Sequence, residues 1–145
     1  MAKLPTVPTD FDFIKVSEEH VHSVQYVYPA LGDGVTVTSH EDDWVLGTIT
    51  EIVPADTIAE SFDIHEVCIE DVNTTDKTYE LILYYGASDT LAGSIRFSSA
   101  TNKGGIPNGA FMTPVIPANS RVRAQLAIED GSQNTAKISI RYHHY

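Results

Sequence analysis

Hydrophobic and polar residues alternate with a period of two through much of this chain, most regularly in its second half. Successive side chains of an extended strand point to opposite faces, so this alternation predicts strands with one face toward a core. The runs are KTYELILYY, TLAGSIRFSS, SRVRAQLAIED and the ending KISIRYHHY. The positions expected to face the core are Tyr79, Leu81, Leu83, Tyr85, Leu91, Ile95, Phe97, Val122, Ala124, Leu126, Ile128, Ala136, Ile138, Ile140 and Tyr142.

The first half is less regular, and one of its segments changes phase. Phe62 and Ile64 fall on one face of an extended strand, whereas Val67 and Ile69 fall on the other. One extra residue in a strand reverses the facing of every later side chain. We therefore expect a β-bulge near Glu66.

Helical periodicity is weak throughout the sequence, because the apolar spacing i, i+3, i+4, i+7 does not recur. Roughly eight to ten short strands separated by turn signals favour an antiparallel β-sandwich or barrel. Asp130-Gly131 is expected to form a hairpin turn before the last strand. The predicted fold class is all-β, an antiparallel β-sandwich with a jelly roll as the preferred topology, and residues 11–145 are expected to form one domain.

The first ten residues differ from the rest in composition. Pro5 and Pro8 each fix φ near −65°, which favours an extended path, and the segment has too few apolar residues for a core element. We expect residues 1–10 to form an extended N-terminal arm.

Composition and charge exclude several classes of protein. The chain has 145 residues and a net charge of −11, so binding to a phosphate backbone is not expected. It contains no apolar run near the ~20 residues needed to cross a bilayer, and its start lacks the apolar core of a signal peptide. A single cysteine, Cys68, excludes an internal disulfide. We expect a protein made in a reducing cytoplasm, with no membrane partner.

The charge is unevenly distributed along the chain. Residues 1–76 hold 16 acidic residues and two lysines, whereas residues 77–145 hold four acidic and seven basic residues. Two explanations remain open. Strands from both halves interleave in one domain and neutralise each other, or an acidic face of one subunit meets a basic face of another.

Six histidines raise the possibility of a metal site. His20 and His22 have the i, i+2 spacing of the metal site in cupin barrels, but the glutamate that continues that pattern is replaced by tyrosine and valine at positions 26 and 27. His143 and His144 are adjacent, so on a strand they point to opposite faces and cannot chelate one ion together. No metal ligand, and no cofactor, is expected.

The remaining candidates for chemistry have ordinary structural explanations. Cys68 lies among carboxylates, whereas a nucleophilic thiolate needs an electropositive environment, so a small buried residue is expected. The acidic run Glu41–Asp43 lacks the spacing of a calcium loop, and Trp44 beside it is expected to be a core residue. The glycine-rich NKGGIPNG lacks the phosphate-loop pattern. No catalytic pair emerges, and the chain is not expected to be an enzyme.

Three stretches of the second half carry a resemblance to a known class of protein. They are YELILYYGASDTLAGSIRFSS, GAFMTPVIPANSRVRAQLAIEDG and TAKISIRYHHY, within residues 77–145. Together they resemble the capsid auxiliary proteins of tailed phages, also called cement or decoration proteins. The resemblance implies a sandwich or jelly-roll domain that trimerises on the outside of an icosahedral shell and bridges its capsomers. Its implied partners are the major capsid protein and itself, without direct contact to nucleic acid.

Residues that could contact the capsid or a sister subunit follow from the arm, the basic strands and the terminal strand. In KISIRYHHY we expect Lys137, Ser139 and Arg141 to face solvent or a partner, and the end of the chain to be held in a sheet or against a neighbour. The expected contact residues are Leu4, Pro5, Val7, Pro8, Arg121, Arg123, Arg141, His143 and Tyr145.

Two other functions remain open from the sequence. One is a receptor- or carbohydrate-binding module of a phage tail or fibre, with Trp44 and tyrosines as stacking platforms. The other is a cupin-like metalloenzyme. Glycan binding by the isolated protein would favour the first, and a bound metal ion in protein purified without a histidine tag would favour the second.

Overall fold

A computed structural model of the chain describes residues 24–98 and 109–145. These residues form nine β-strands and no helix. The strands are β1 Tyr26–Tyr28, β2 Val35–Thr38, β3 Thr50–Val53, β4 Phe62–Val72, β5 Thr78–Tyr85, β6 Thr90–Ser98, β7 Gly109–Ala110, β8 Val122–Ile128 and β9 Thr135–His144.

The strands form two antiparallel sheets. The first sheet has the order β1–β9–β4–β7, and β2 pairs with β9 beyond the end of β1, so β1 and β2 together make one edge. The second sheet has the order β3–β8–β5–β6. Except for β5 to β6, each connection from β2 to β9 leads from one sheet to the other. The prediction of an all-β antiparallel sandwich is confirmed.

A single apolar core lies between the sheets. Ile64 and Ile140 of the first sheet and Leu81 and Leu126 of the second are each completely buried in one cluster. Burial of such side chains contributes about 1.5–3 kcal/mol each to the hydrophobic stabilisation. The inward alternation predicted for β5, β8 and β9 is confirmed, with Tyr85 partly buried at the margin.

The phase change in β4 has the predicted cause. The register between β4 and β9 shifts between Ile64 and Glu66 and again between Ile69 and Asp71. Because each shift inserts one residue, the apolar side chains before and after it all reach the core. The expected bulge near Glu66 is confirmed, and the second bulge lets Val72 face inward as well.

Strand β6 departs from the predicted alternation at its start. Leu83 of β5 pairs with Gly93 and the next residue, Tyr84, pairs with Leu91, so β6 has one extra residue, Ala92, at this point. The irregularity places Ala92 in the core and Leu91 outside it. Leu91 is 61% exposed, so its predicted inward position is wrong. Farther along the strand Phe97 is buried as expected and stacks on Tyr79, with ring centroids 5.2 Å apart.

The turn at Asp130-Gly131 exists but does not close a hairpin. Gly131 has a φ of +58°, in the left-handed region that glycine adopts most easily. The strands on either side of it, β8 and β9, belong to different sheets. The alternation on both sides of a turn does not distinguish a hairpin from a connection between two sheets, so this part of the prediction is wrong.

Candidate functional site

The outward-pointing side chains of β4 and β9 form a band of paired charges. Arg141 of β9 lies 3.2 Å from a carboxylate oxygen of Glu66, and Lys137 lies 3.8 Å from Glu70. The hydroxyl of Ser139 donates to the second oxygen of Glu70 at 2.6 Å. Acidic residues of the first half of the chain thus meet basic residues of the second half within one sheet, as the interleaving explanation of the charge distribution requires.

This outer face is more buried than expected. Ser139 was expected to face solvent or a partner, but none of its surface is exposed, and its cross-strand neighbour Cys68 is 2% exposed. Burial raises the pKa of the Cys68 thiol, which keeps it protonated near neutral pH. The expectation of a small buried cysteine is confirmed, whereas the expectation that Ser139 faces solvent or a partner is wrong.

Asp63, His65 and His143 form a compact cluster where β4 begins and β9 ends. Asp63 lies directly opposite His143 in the antiparallel register, and His65 is two residues farther along β4. One oxygen of Asp63, Oδ1, lies 2.9 Å from Nε2 of His65 and also contacts Nδ1 of His143. The two imidazole rings meet edge to face, with centroids 4.3 Å apart. We call these three residues the Asp–His–His cluster.

Tyr145 completes the surroundings of the cluster. Its hydroxyl donates to the other carboxylate oxygen of Asp63, Oδ2, at 2.8 Å, and this hydrogen bond raises the pKa of Tyr145. Its backbone N–H donates to the carbonyl of Ser61 at 2.9 Å. The structure therefore brings the predicted contact residues His143 and Tyr145 together.

Asp63 and His65 were not among the site residues predicted from the sequence. Their i, i+2 spacing in FDIHE was visible, since alternate residues of a strand share a face. Their proximity to His143 depends on which strands pair, and periodicity does not carry that information.

His144 points away from the cluster, as its parity predicted. Its ring packs against Tyr26, with centroids 4.5 Å apart, and its Nδ1 lies 3.4 Å from a carboxylate oxygen of Glu60. The expectation that the two terminal histidines divide between faces is confirmed.

Arg121 and Arg123, predicted as intermolecular contacts, bind the β5–β6 turn of their own chain. Nε and Nη2 of Arg121 donate to the carbonyls of Gly86 and Ala87 at 3.1 and 2.9 Å. Arg123 pairs with the carboxylate of Asp89. Arg123 lies in β8 of the second sheet, and Arg121 immediately precedes that strand. The other predicted contact residues, Arg141, His143 and Tyr145, lie in or directly after β9 of the first sheet.

Trp44 is not a core residue. It adopts a φ of +56° in the loop before β3, and 40% of its surface is exposed. The guanidinium carbon of Arg96 lies 4.5 Å from the centroid of the tryptophan ring, within the range of a cation–π contact. The predicted burial of Trp44 is wrong, because the acidic loop turns it toward the outward side of β6.

An open polar hollow of about 510 Å³ lies beside the same loop. Hydroxyl, amide, imidazole and carboxylate groups dominate its lining, and Trp44 does not belong to it. The lining residues are Thr38, Ser39, His40, Glu41, Gly47, Thr48, Thr50 and Gln133.

Large apolar side chains are exposed at one end of the first sheet. Tyr26 pairs in register with Tyr142, the backbone of Tyr145 bonds to Ser61, and Ile116 bonds to Phe62. These segments therefore lie side by side where β1 and β4 begin and β9 ends. We call the exposed side chains here the apolar end, and they are Val24, Tyr26, Met112, Val115 and Tyr145.

Several predicted positions lie outside the described residues. They are the contact residues Leu4, Pro5, Val7 and Pro8, the histidine pair His20 and His22, and most of the glycine-rich NKGGIPNG segment.

The described residues contain no helix of the length and apolar character needed to cross a membrane. No protein-family model matches the chain. No curated protein matches it either.

Three solved structures of infectious bursal disease virus are similar to this chain at low scores. The Gx strain structure is 13% identical, with a TM-score of 0.41, over 83% of this chain and 32% of that one. The VP2 subviral particle is 14% identical, with a TM-score of 0.38, over 83% of this chain and 33% of that one. The Gt strain structure is 13% identical, with a TM-score of 0.32, over 82% of this chain and 30% of that one. This chain spans about a third of their length, and likeness at TM-scores below 0.5 identifies neither a family nor a function.

Proposed function

We propose that this protein is a structural component of a phage virion that binds the outside of the capsid, bridges capsomers and acts as a homotrimer. The observation that carries the proposal is the apolar end. Met112 is 82% exposed there, and four further large apolar side chains are exposed on adjoining segments. Large apolar side chains exposed on neighbouring segments supply the kind of surface that protein–protein contacts use.

The resemblance to phage capsid auxiliary proteins supports the same function. The stretches that carry it include β5, β6, β8 and β9, which supply strands to both sheets. The acidic net charge of −11 suits a protein placed outside a shell that encloses DNA.

We also propose that the sandwich has jelly-roll connectivity and that residues 11–145 form one domain. When β1 and β2 are counted as one edge strand, eight strands form two sheets of four, and every connection except β5 to β6 leads from one sheet to the other. This arrangement supports the jelly roll, a fold used by capsid proteins, lectins and cupins alike. The core shared by both sheets supports a single domain. Because proteins of unrelated function share the jelly roll, the connectivity of the strands does not by itself select a function.

The proposal is tested by co-sedimentation of the purified full-length protein with undecorated shells of the virus that encodes it. We expect saturable, stoichiometric binding to the shells. Met112→Ser and Val115→Ser together should weaken it at least tenfold, because both side chains are exposed and contribute to an interface rather than to the fold. Leu91→Ser is the matched control, since it removes an apolar side chain of the second sheet whose exposure lies between those of Met112 and Val115. Equal binding by the wild type, the Met112→Ser/Val115→Ser double variant and Leu91→Ser would contradict the role of the apolar end.

The second candidate function is carbohydrate binding, which the polar hollow favours. Its hydroxyl and amide groups are the partners that sugar hydroxyls use, but the nearby indole ring of Trp44 is already covered by Arg96. A glycan array with the isolated protein decides between the candidates. Binding of one glycan class that is lost in Gln133→Ala and Thr48→Ala variants would favour the receptor-binding function.

We propose no catalytic activity for this chain. The groups of the Asp–His–His cluster bond to one another and to Tyr145, an arrangement that suits holding two strands together. The capsid function requires neither a cofactor nor direct contact with nucleic acid or membrane.

A further inference from the structure

We propose that the Asp–His–His cluster binds one divalent transition-metal ion of the zinc class, which joins the beginning of β4 to the end of β9. This inference does not depend on the capsid function. It departs from the expectation, drawn from the sequence, that the chain has no metal ligand.

The positions of the donor atoms fit such an ion. Asp63, His65 and His143 each offer one ligating atom, and these atoms lie within 4.8 Å of one another. Zinc bonds of ~2.0–2.1 Å in a tetrahedral site put ligand atoms roughly 3.3 Å apart. Both imidazoles already contact Oδ1 of Asp63, so a bound ion would require small shifts that open these two contacts to the spacing of metal ligands.

The fold holds the three donors in place without a long loop. Asp63 and His143 are direct cross-strand neighbours, and His65 is the extra residue of the first β4 bulge, between Ile64 and Glu66. The backbone carbonyl of His65 accepts a hydrogen bond from Phe111 at 2.9 Å, which fixes that residue from the other side of the strand. Preorganised ligands on paired strands lose little freedom when a metal binds.

The surroundings favour a cation at this place. Tyr145 donates to the distal oxygen of Asp63, the kind of outer hydrogen bond that orients a metal-bound carboxylate. The nearby cation of β9, Arg141, pairs with Glu66. Asp63 and His143 are 6% and 5% exposed, whereas His65 is half-buried and offers a path for the ion.

Two imidazoles and one carboxylate select the class of metal. Imidazole nitrogen suits zinc and the neighbouring transition metals, whereas calcium and magnesium require mostly oxygen ligands. Three protein ligands leave a fourth position for water or for a group of another molecule.

The test uses full-length protein made without a histidine tag, stripped with a chelator and titrated calorimetrically with Zn²⁺ and, separately, Ca²⁺. We expect saturable binding of one Zn²⁺ per chain, no heat from Ca²⁺, and a higher melting temperature with Zn²⁺. Co²⁺ should give the visible absorption bands of a tetrahedral site. No saturable Zn²⁺ binding by the wild-type protein would show that the cluster is a hydrogen-bonded contact only and overturn the proposal.

Variants locate the ion. His143→Gln and His65→Gln should each lower the Zn²⁺ affinity at least tenfold, and Tyr145→Phe should lower it about 10–100-fold. The control is His40→Gln, because His40 also lies beside an aspartate, 3.4 Å from Asp42, but in the exposed loop. Circular dichroism without metal checks folding. If His143→Gln does not fold, His65→Gln decides, since its side chain is less buried. Unchanged affinity in folded His65→Gln would overturn the site.

Discussion

Tyr79 shows how burial in this sandwich changes the pKa of a single side chain. It is completely buried in the core, stacks on Phe97, and its hydroxyl donates to the carbonyl of Thr74 at 2.6 Å. Burial raises the pKa of Tyr79 to about 12, since a phenolate could not be solvated there. The hydroxyl is therefore neutral in the folded protein over a wider pH range than in the unfolded chain.

This difference predicts a loss of stability at alkaline pH. The folded pKa lies above the unfolded value of about 10, so the stabilisation is complete below pH ~10 and is lost as pH rises toward 12. Two pKa units correspond to about 2–3 kcal/mol. Urea unfolding at pH 9 and pH 12 should show this loss in the wild type and in Tyr84→Phe. In Tyr79→Phe the loss should be smaller by that amount, and an equal loss would contradict the assignment.

Gly47 is a second position where one residue decides the local structure. A Cβ added there would overlap the backbone carbonyl of Thr38 and come within 2.9 Å of the Ser39 backbone. The N–H and carbonyl of Gly47 also bond to Leu126 and Gln125 of β8. The loop before β3 thus packs its backbone directly against the end of β2.

We expect Gly47→Ala to lower the free energy of unfolding by about 1–3 kcal/mol, the usual cost of overpacking against atoms that cannot move aside. Chemical denaturation measures this directly. Thr48→Ala is the control, because it also puts alanine in this loop but at the next, exposed residue, and it should cost less than ~0.5 kcal/mol. Equal values for the two variants would show that the close approach at Gly47 is absent.

At the scale of elements, β4 and β9 determine most of the architecture. β9 pairs with β1, β2 and β4, and β4 carries two bulges that keep its apolar residues in the core. The same pairing creates the Asp–His–His cluster, since it sets His143 opposite Asp63. Structure and candidate metal site therefore have one origin, the register between these two strands.

The sequence predicted what depends on a single strand and missed what depends on pairing. The period-two pattern identified the inward faces of β5, β8 and β9, and a phase change identified the bulge near Glu66. It placed Leu91 wrongly because nothing local marks the irregularity in β6. The pattern did not predict the burial of Ser139 or the contact between His143 and Asp63. Both depend on which strand lies beside β9, and periodicity within one strand does not reveal that.

At the scale of the whole molecule, the ion pairs show which acidic and basic residues of the two halves of the chain neutralise each other. Glu66 and Glu70 of the first half are paired with Arg141 and Lys137 of the second half within the first sheet. Arg121 and Arg123 are engaged by the β5–β6 turn. Interleaving thus accounts for Lys137 and Arg141, whereas Arg121 and Arg123 are engaged within the second half itself. The apolar end is the surface that we propose for contact with other molecules.

The N-terminal arm gives a prediction at the same scale. Deleting residues 1–10 should leave the melting temperature within a few degrees of the wild-type value, because the predicted arm contains no core residue. The deletion should weaken attachment to shells several-fold, since the arm would add contact area on a neighbouring subunit. Calorimetry and quantitative co-sedimentation measure the two effects. Unchanged occupancy of the shells would contradict the role of Leu4, Pro5, Val7 and Pro8.

We propose that this sandwich attaches to the outside of a capsid. Cryo-electron microscopy of shells of the encoding virus, incubated with saturating full-length protein, tests it most directly. We expect added density on the outer surface, in symmetric copies at full occupancy, that fits the two-sheet sandwich as a trimer across capsomer boundaries. Bare shells at saturating protein, or density confined to the tail, would contradict it.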